Sequence, residues 1–572
     1  MVKAYKGAEH SQSAYGQMRQ EKSKGIVGMI KNPFVLANCC FASIGTIMYG
    51  YDQGVFGSVL VMENFKAHFP SVQSSTQQGW LVAILELGAW FGALFAGWFC
   101  EKVSRKRCMQ FAIIIFTLGS ALQAGAQNAS YLYAGRLIGG IGIGMLSMTI
   151  PLYMAEISPP ELRGSLVSIQ QLSITIGTLI SFWLDYGFHF VGGVTCNPEG
   201  VANPYLPDGT FNYNAAHGHT CLGQKSVSWR VPLAIQIIPA WILFFGMFFF
   251  PYSPRWLANK HRDEEAIAAL CKIRRLKRDD PILVAEWLEV KSAVIFDEQT
   301  EAELFGRDGW LAPWKQMLSP NIFKRVNIGV WIMIFQQFTG INAVLYYSPQ
   351  IFASFGLSAT TNSLLATGVT GIIQVISTLP AVFFLDNFGR RTFLIVGAIG
   401  MAICHVIIAG IFGSFLTTFN QHIGAGWANV VFIWLFAMNF AYSWGPVAWV
   451  IPQEIFPAAF RSRGVSIVAS TNWIFNFIIG LVTPHMINNM KWGTYIFFAA
   501  FSAGGGIFVY FFVPETKGKT LEEMDVYFGG SETSLAVRDR ERMENIQREL
   551  MGGYNKEEKT HDEGEQTATA TA

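Results

Sequence analysis

Read for Asp, Glu, Lys and Arg alone, the chain divides into long charge-free stretches separated by charged clusters. The stretches are 33–51, 108–135, 137–155, 164–184, 231–254, 464–490 and 492–514, with two longer ones at 326–385 and 392–453. A helix crosses the hydrocarbon core with about 20 apolar residues. Each long stretch therefore holds two spans, divided by a polar turn near Ser358-Ala359-Thr360-Thr361-Asn362 and another at Phe419-Asn420-Gln421-His422. Segment 79–100 is apolar except for Glu86, and Arg136 interrupts a run that reads as span 3, a short loop near Asn128, and span 4. The pattern predicts twelve membrane-spanning helices, six on either side of a charged middle at 255–325.

Composition supports this. Of 572 residues, 14% are charged and 51% hydrophobic, and mean hydropathy is +0.32. A soluble domain has about 25% charged residues, so an ordinary soluble chain is excluded. A net charge of +2 gives no reason to expect a nucleic-acid partner. The loops after spans 2, 4, 6, 8 and 10 carry Lys102, Arg105, Lys106 and Arg107; Arg163; a dense set from Arg255 to Arg325; Arg390 and Arg391; and Arg461 and Arg463. The opposite loops offer Lys66, Lys225 and Lys491. The positive-inside rule then places the first set and both termini in the cytoplasm. The expected divisions are a tail at 1–32, a six-helix half at 33–252, a linker of short helices at 253–325, a second half at 326–513 and a tail at 514–572. The first 32 residues show no cleavable signal peptide, and the last stretch reads as a short helix followed by disorder.

The two halves repeat. Glu101, Lys102, Arg105 and Lys106 after span 2 correspond to Asp386, Arg390 and Arg391 after span 8. Glu156-Ile157-Ser158-Pro159 with Arg163 after span 4 corresponds to Glu454-Ile455-Phe456-Pro457 with Arg461 and Arg463 after span 10. Pro251-Tyr252-Ser253-Pro254-Arg255 corresponds to Pro514-Glu515-Thr516-Lys517. A duplicated six-span unit is the layout of transporters whose halves rock about a midplane site. Opposite charges at matched helix ends suit a gate, because a few pairs of modest strength leave two states close in energy. Positive-inside topology alone explains the Lys and Arg, but not Glu101, Asp386, Glu156 and Glu454.

The strings GYDQG at 50–54, AGRLIGGIGIG at 134–144, PLYMAEISPPELRG at 151–164, QQLSITIG at 170–177, PYSPRWL at 251–257, QQFTGINAVLYYSP at 336–349, DNFGRR at 386–391 and PETKGKTLEEMD at 514–525 carry a resemblance. Over about residues 33–530 the chain resembles a fungal-type sugar porter of the major facilitator superfamily. The resemblance implies an all-α membrane fold of two six-helix halves and alternating-access transport of a hexose or pentose, such as glucose or xylose, at the plasma membrane. Two motifs depart from the family pattern. Glu101-Lys102-Val103-Ser104-Arg105-Lys106 stands for Asp-Arg-x-Gly-Arg-Arg, and Tyr252 stands where Glu is usual.

A sugar is neutral, covered in hydroxyls, and has apolar C–H faces. Its site needs amides, which donate and accept at once, with an aromatic surface. Spans supply Gln171, Gln336, Gln337, Asn342, Gln374, Asn472 and Asn476, with Trp449 after the helix-breaking Gly445-Pro446 and Trp473 in span 11. By resemblance, Gln171, Gln336, Gln337, Asn342, Trp449 and Asn476 match sugar-contacting positions, and Gln374 sits where many members carry Asn. The alternative is that amides bond between helices and steady the bundle; Gln123, Gln236 and Asn439 read that way. The scarcity of Lys and Arg within spans argues against an organic anion as substrate.

Charges inside a membrane are costly and mark function. By resemblance Asp52 and Arg136 face each other, and Asp52 is the proton carrier. With Arg136 close, Asp52 stays ionised; with Arg136 away, it takes a proton. This favours proton symport over facilitated diffusion. Glu86 reads as a second proton site, a sugar contact, or a structural partner of a Tyr or Arg. Asp185 is expected at the membrane interface. Among eight cysteines, Cys196 and Cys221 share the long external loop, where a disulfide is expected and two free thiols are the alternative. Asn128-Ala129-Ser130 is a glycosylation sequon expected to go unused. No metal spacing or nucleotide-binding loop occurs, so neither an enzyme nor a cofactor is expected. The expected partners are a monosaccharide, protons and the bilayer around a monomer, and a non-transporting sugar sensor is the reading from another class.

Overall fold

The computed structural model describes residues 30, 32–159, 163–207, 211–308, 317–356, 360–419, 421–456, 461–517, 524, 527–528, 542 and 545–550. Among these, twelve helical segments are long and apolar enough to cross a membrane. In the first half, spans 1 to 6 are Pro33–Val59, Ser75–Val103, Arg105–Ala124, Ala129–Ile157, Ser165–His189 and Val227–Gly246. In the second, spans 7 to 12 are Ile322–Ser354, Asn362–Leu385, Arg390–Phe415, Ile423–Ile455, Arg463–Met490 and Gly493–Phe512. Span 1 runs past Asp52 to Val59, and span 5 past Asp185 to His189, so counting charge-free stretches cuts both helices short.

Local chemistry sets the helix ends. Ser74 Oγ accepts from the Gln77 N–H at the start of span 2, and Asn128 Oδ1 accepts from the Tyr131 N–H at the start of span 4; both are N-caps. Span 7 breaks at Gly340, whose φ of +90° suits a residue without Cβ. Span 10 breaks at Ser443, just before Gly445-Pro446. Such breaks free backbone and side-chain polar groups at membrane depth, where they line a cavity.

The halves meet along span 2 against span 11 and span 5 against span 8. Spans 1 and 7 also touch: a Cβ at Gly57 would lie 2.5 Å from the Tyr346 carbonyl oxygen. One face of the bundle carries the linker helices α1 (Pro254–Asn259), α2 (Asp263–Arg274) and α3 (Pro281–Asp308). Trp256, Leu257, Ala266, Leu270, Leu283 and Trp287 form their common core. The opposite face carries the loop between spans 5 and 6, in which Cys196 and Cys221 are joined in a disulfide with Cα atoms 4.7 Å apart.

Candidate functional site

A small cavity lies between the halves. The first half contributes Tyr49 and Gln53 from span 1 and Gln171, Thr175 and Thr178 from span 5. The second contributes Gln336, Gln337, Asn342, Gln374, Phe440, Trp449 and Asn472. Among the described residues, no Asp, Glu, Lys or Arg lines it. The break at Gly340 places Gln337 and Asn342 on opposite sides of a turn, and Asn342 Nδ2 donates to Gln337 Oε1 at 2.5 Å. Gln336 Nε2 donates to the Trp444 carbonyl at 2.8 Å, and Asn472 Nδ2 donates to Gln336 Oε1 at 2.7 Å. Gln374 Nε2 and Asn472 Oδ1 have no hydrogen-bond partner among the described residues. A buried donor and a buried acceptor left unpaired are costly, and hydroxyl groups satisfy both kinds.

Asn476 lies elsewhere. It is fully buried outside the cavity lining, and its Nδ2 donates to the Tyr346 hydroxyl at 2.9 Å. Trp473 packs edge-on to Tyr49 and donates to Ser147 Oγ, which turns it away from the cavity. Gln123 and Gln236 are buried in the bundle, and Asn439 Nδ2 donates to the Leu435 carbonyl on its own helix.

Behind span 1 lies a charged cluster. Arg136 Nη1 is 4.0 Å from Asp52 Oδ2, with both side chains buried. This is an ion pair without a hydrogen bond, since the separation is too long. The guanidinium is held elsewhere, by Nη2 donating to the Val82 carbonyl at 3.0 Å and by the Phe56 ring at 4.1 Å. Glu86 sits about three turns into span 2, fully buried. Tyr346 of span 7 donates to Glu86 Oε1 at 2.8 Å, and Asn476 of span 11 reaches Oε2 at 3.4 Å. Gln53 Nε2 in turn donates to the Tyr346 hydroxyl at 3.2 Å and to Asn342 Oδ1 at 3.5 Å. A polar chain therefore runs from the cavity amides through Gln53 and Tyr346 to Glu86, and crosses from one half to the other. Asp185 lies one turn before the end of span 5 and is 0% exposed.

On the linker face each half makes the same ion pair. Arg105 Nη2 meets Glu156 Oε1, and Arg390 Nη2 meets Glu454 Oε1, both at 2.7 Å. Both pairs lie within a half rather than between halves. The Glu515 carboxylate accepts the backbone N–H groups of Arg390 and Arg391 at 2.9 and 3.1 Å, and Arg391 Nη2 donates to the Tyr510 carbonyl. Tyr252, at the corresponding place, stacks on Trp256 and lies under the Lys106 ammonium. Glu101 contributes its carbonyl, which accepts from Trp256 Nε1. Arg463 is half-buried at the start of span 11. The side chains of Arg163, Asp386 and Arg461 lie outside the described residues.

On the disulfide face, Glu63 anchors the loop. Its carboxylate accepts from the Cys196 N–H at 2.8 Å and from the Tyr205 hydroxyl at 3.1 Å. Burial pushes the Glu63 acid above the usual carboxylate range, and burial lowers the Lys66 ammonium.

Sequence reading missed Tyr49, Gln53, Thr178 and Phe440 in the cavity, and Tyr346 beside Glu86. Tyr346 and Gln53 stand inside the motif strings at 336–349 and 50–54, so position in a motif was the available signal. Thr178 and Phe440 carry none.

The comparisons agree with this architecture. Residues 38–528 match the family model described as "Sugar (and other) transporter". The chain is similar to the "MFS glucose transporter mfs1" of Aspergillus flavus, 32% identical over 540 residues, covering 92% of this chain and 95% of that protein. It is also similar to the "Quinate permease" of Neurospora africana, 34% identical over 504 residues, covering 85% and 87%. Among solved structures, the proton:xylose symporter XylE bound to 6-bromo-6-deoxy-D-glucose superposes with a TM-score of 0.69 at 27% identity, covering 87% of this chain and 99% of that one. The inward-open XylE from E. coli gives 0.62 at 28%, covering 86% and 99%. Twelve spans in two repeated halves around an uncharged amide cavity thus belong to a sugar transporter of the major facilitator superfamily.

Proposed function

We propose that this transporter carries a neutral monosaccharide, a hexose or pentose, together with protons, by alternating access in the plasma membrane, with both termini cytoplasmic. The observation that carries the reading is the cavity lining. Amides from both halves, with Phe440 and Trp449, surround a space with no ionised side chain. Gln171, Gln336, Gln337, Asn342, Gln374 and Asn472 grip the hydroxyls, and Trp449 offers a face to the C–H surface. Asn476 acts on the sugar through Tyr346. Asp52 carries the proton, Arg136 holds it ionised between loadings, and Glu86 reports the cavity's state through Tyr346 and Gln53. One chain supplies every group, so a monomer suffices. Arg105 with Glu156 and Arg390 with Glu454, together with Glu101, Arg163, Asp386, Arg391, Arg461 and Arg463, brace the cytoplasmic gate. The divisions at 33–252, 253–325 and 326–513 bound the two moving bodies and their link.

A quinate-like acid is the second reading, prompted by relatives that bear that name. A carboxylate needs a cation, and the lining has none, so the neutral sugar is favoured. Facilitated diffusion is the rival within sugar transport, and the buried Asp52–Arg136 pair favours symport. The test is uptake of labelled glucose, xylose and quinate in a transporter-null yeast, with and without a protonophore. Concentrative, protonophore-sensitive uptake of glucose or xylose is expected. Uptake of quinate alone, or uptake that only equilibrates, overturns the sugar or the proton part respectively.

A further inference from the structure

The outer part of the N-terminal half buries three carboxylates against one arginine. Asp52 and Arg136 are 1% exposed, and Glu86 and Asp185 are 0% exposed. Arg136 balances one of the three. Glu86 has neutral donors in Tyr346 and Asn476. Asp185 pairs with no cation among the described residues, and the Ser58 hydroxyl of span 1 is the one donor beside it. An ionised carboxylate buried with no cation is costly, and a single neutral hydroxyl offsets little of that cost.

The surroundings of Asp185 can be read from every element packed on span 5. Span 1 presents Tyr51, whose hydroxyl donates to the Pro232 carbonyl at 2.9 Å. Span 4 presents Arg136, which is turned to Asp52. Span 6 presents Arg230, whose guanidinium donates to the carbonyls of Ala124 and Ala126. Span 10 presents Glu454, paired with Arg390 at the linker face. Residues 362–385 of span 8 and 33–42 of span 1 contain no Asp, Glu, Lys or Arg. Within span 5 the titratable neighbour is His189, one turn on toward the disulfide loop, on the same helix face. Gln224 Nε2 of that loop donates to His189 Nδ1 at 3.1 Å and to its carbonyl at 2.9 Å. Nδ1 therefore accepts, and the neutral ring carries its proton on Nε2.

We propose that Asp185 is a second proton-carrying carboxylate of the transport cycle, so that each sugar enters with two protons. The inference rests on the symport reading above. When the outer side is open, hydronium from outside protonates the Asp185 carboxylate and leaves water, with His189 as the neighbouring relay. When the inner side is open, water takes the proton back as hydronium. Closing the outer half over an uncharged acid avoids burying an unpaired anion.

The experiment is the limiting accumulation of labelled glucose in proteoliposomes under an imposed gradient of one pH unit at zero membrane potential. One pH unit is tenfold per proton moved. The wild type is expected to reach about 100-fold, Asp185→Asn about tenfold, and Asp185→Glu about 100-fold. Should Asp185→Asn fail to fold, Asp185→Thr takes its place with the same tenfold expectation. A wild type that stops at about tenfold, or an Asp185→Asn that keeps about 100-fold, overturns the second proton while leaving symport intact. The same measurement is made with labelled xylose where glucose is not moved; a wild type that moves either sugar without accumulating it, or moves neither, overturns the symport reading and this proposal together.

Discussion

Inside the membrane the two halves hold different chemistry on one repeated plan. Spans 1 to 5 bury Asp52, Glu86, Arg136 and Asp185. The stretches 326–385, 392–453, 464–490 and 492–514 contain no charged residue and contribute most of the amides around the cavity. Charge is thus gathered in one half and neutral hydrogen bonding in the other, with Gln53, Tyr346 and Glu86 between them. At the linker face the halves repeat the Arg–Glu pair but differ around it. Gly389 turns with φ +90°, whereas Ser104 holds φ +113° at the same place in the repeat. Thr516 donates to Glu454 and Glu515 caps span 9, whereas Glu156 Oε2 is unpaired and Tyr252 replaces the capping acid. Duplication preserves the ion pair, and divergence after it leaves the pair of the first half with fewer supporting contacts than that of the second.

The largest expected effect tests the charged half. Arg136→Gln leaves Asp52 buried without its cation, a loss of about 3–5 kcal/mol for a broken buried pair. Proton-driven glucose uptake should fall by more than about 100-fold, while surface expression shows whether the fold survives. Next is the amide half. Gln337→Ala removes a cavity acceptor and the partner of Asn342, so the KM for glucose should rise by about tenfold. The proton-to-sugar ratio should stay unchanged. A changed ratio at Gln337, or an unchanged one at Arg136, would break the division of labour.

Smaller effects sharpen the comparison of the gates. Ser104→Gly removes a left-handed backbone strain of about 1–3 kcal/mol and gives up a cap on the Arg107 N–H worth about 1 kcal/mol. Thermal unfolding in detergent should rise by a few degrees, and a fall would mean that the Ser104 cap outweighs the strain. The smallest effect concerns Glu63. Burial raises its acid, so its folded-state contribution is complete below the usual carboxylate range and is lost as pH rises through the shifted value. Unfolding should occur at lower temperature as pH rises through that window in the wild type, and Glu63→Gln should flatten the slope.

The fold was legible because charge spacing in a low-dielectric solvent leaves few alternatives. Twelve spans, the charged middle and the repeat all follow from where Lys, Arg, Asp and Glu stand. The same rule erred where charge enters the membrane. It ended span 1 at Asp52 and span 5 before Asp185, since a rule that reads charges as loop markers cannot see a buried one. Gln337 and Asn342 were legible from a motif string and Trp449 from the Gly445-Pro446 before it, because helix breaks there and at Gly340 mark where backbone opens on a cavity. Asn476 and Trp473 were placed at the cavity, but packing turns them to Tyr346 and to Ser147. Helix rotation is set by neighbouring spans, which no single stretch of sequence contains. The linker-face ion pairs were legible as matched charges, though not their partners, since pairing within a half rather than between halves is a tertiary fact.

The central claim is that Asp52 couples protons to the sugar held in the neutral cavity. The direct measurement is labelled-glucose accumulation against exchange, wild type and Asp52→Asn, in a transporter-null yeast. The account predicts that Asp52→Asn loses accumulation above the external concentration while still exchanging glucose across the membrane. Accumulation that persists in Asp52→Asn and still collapses with a protonophore would contradict it.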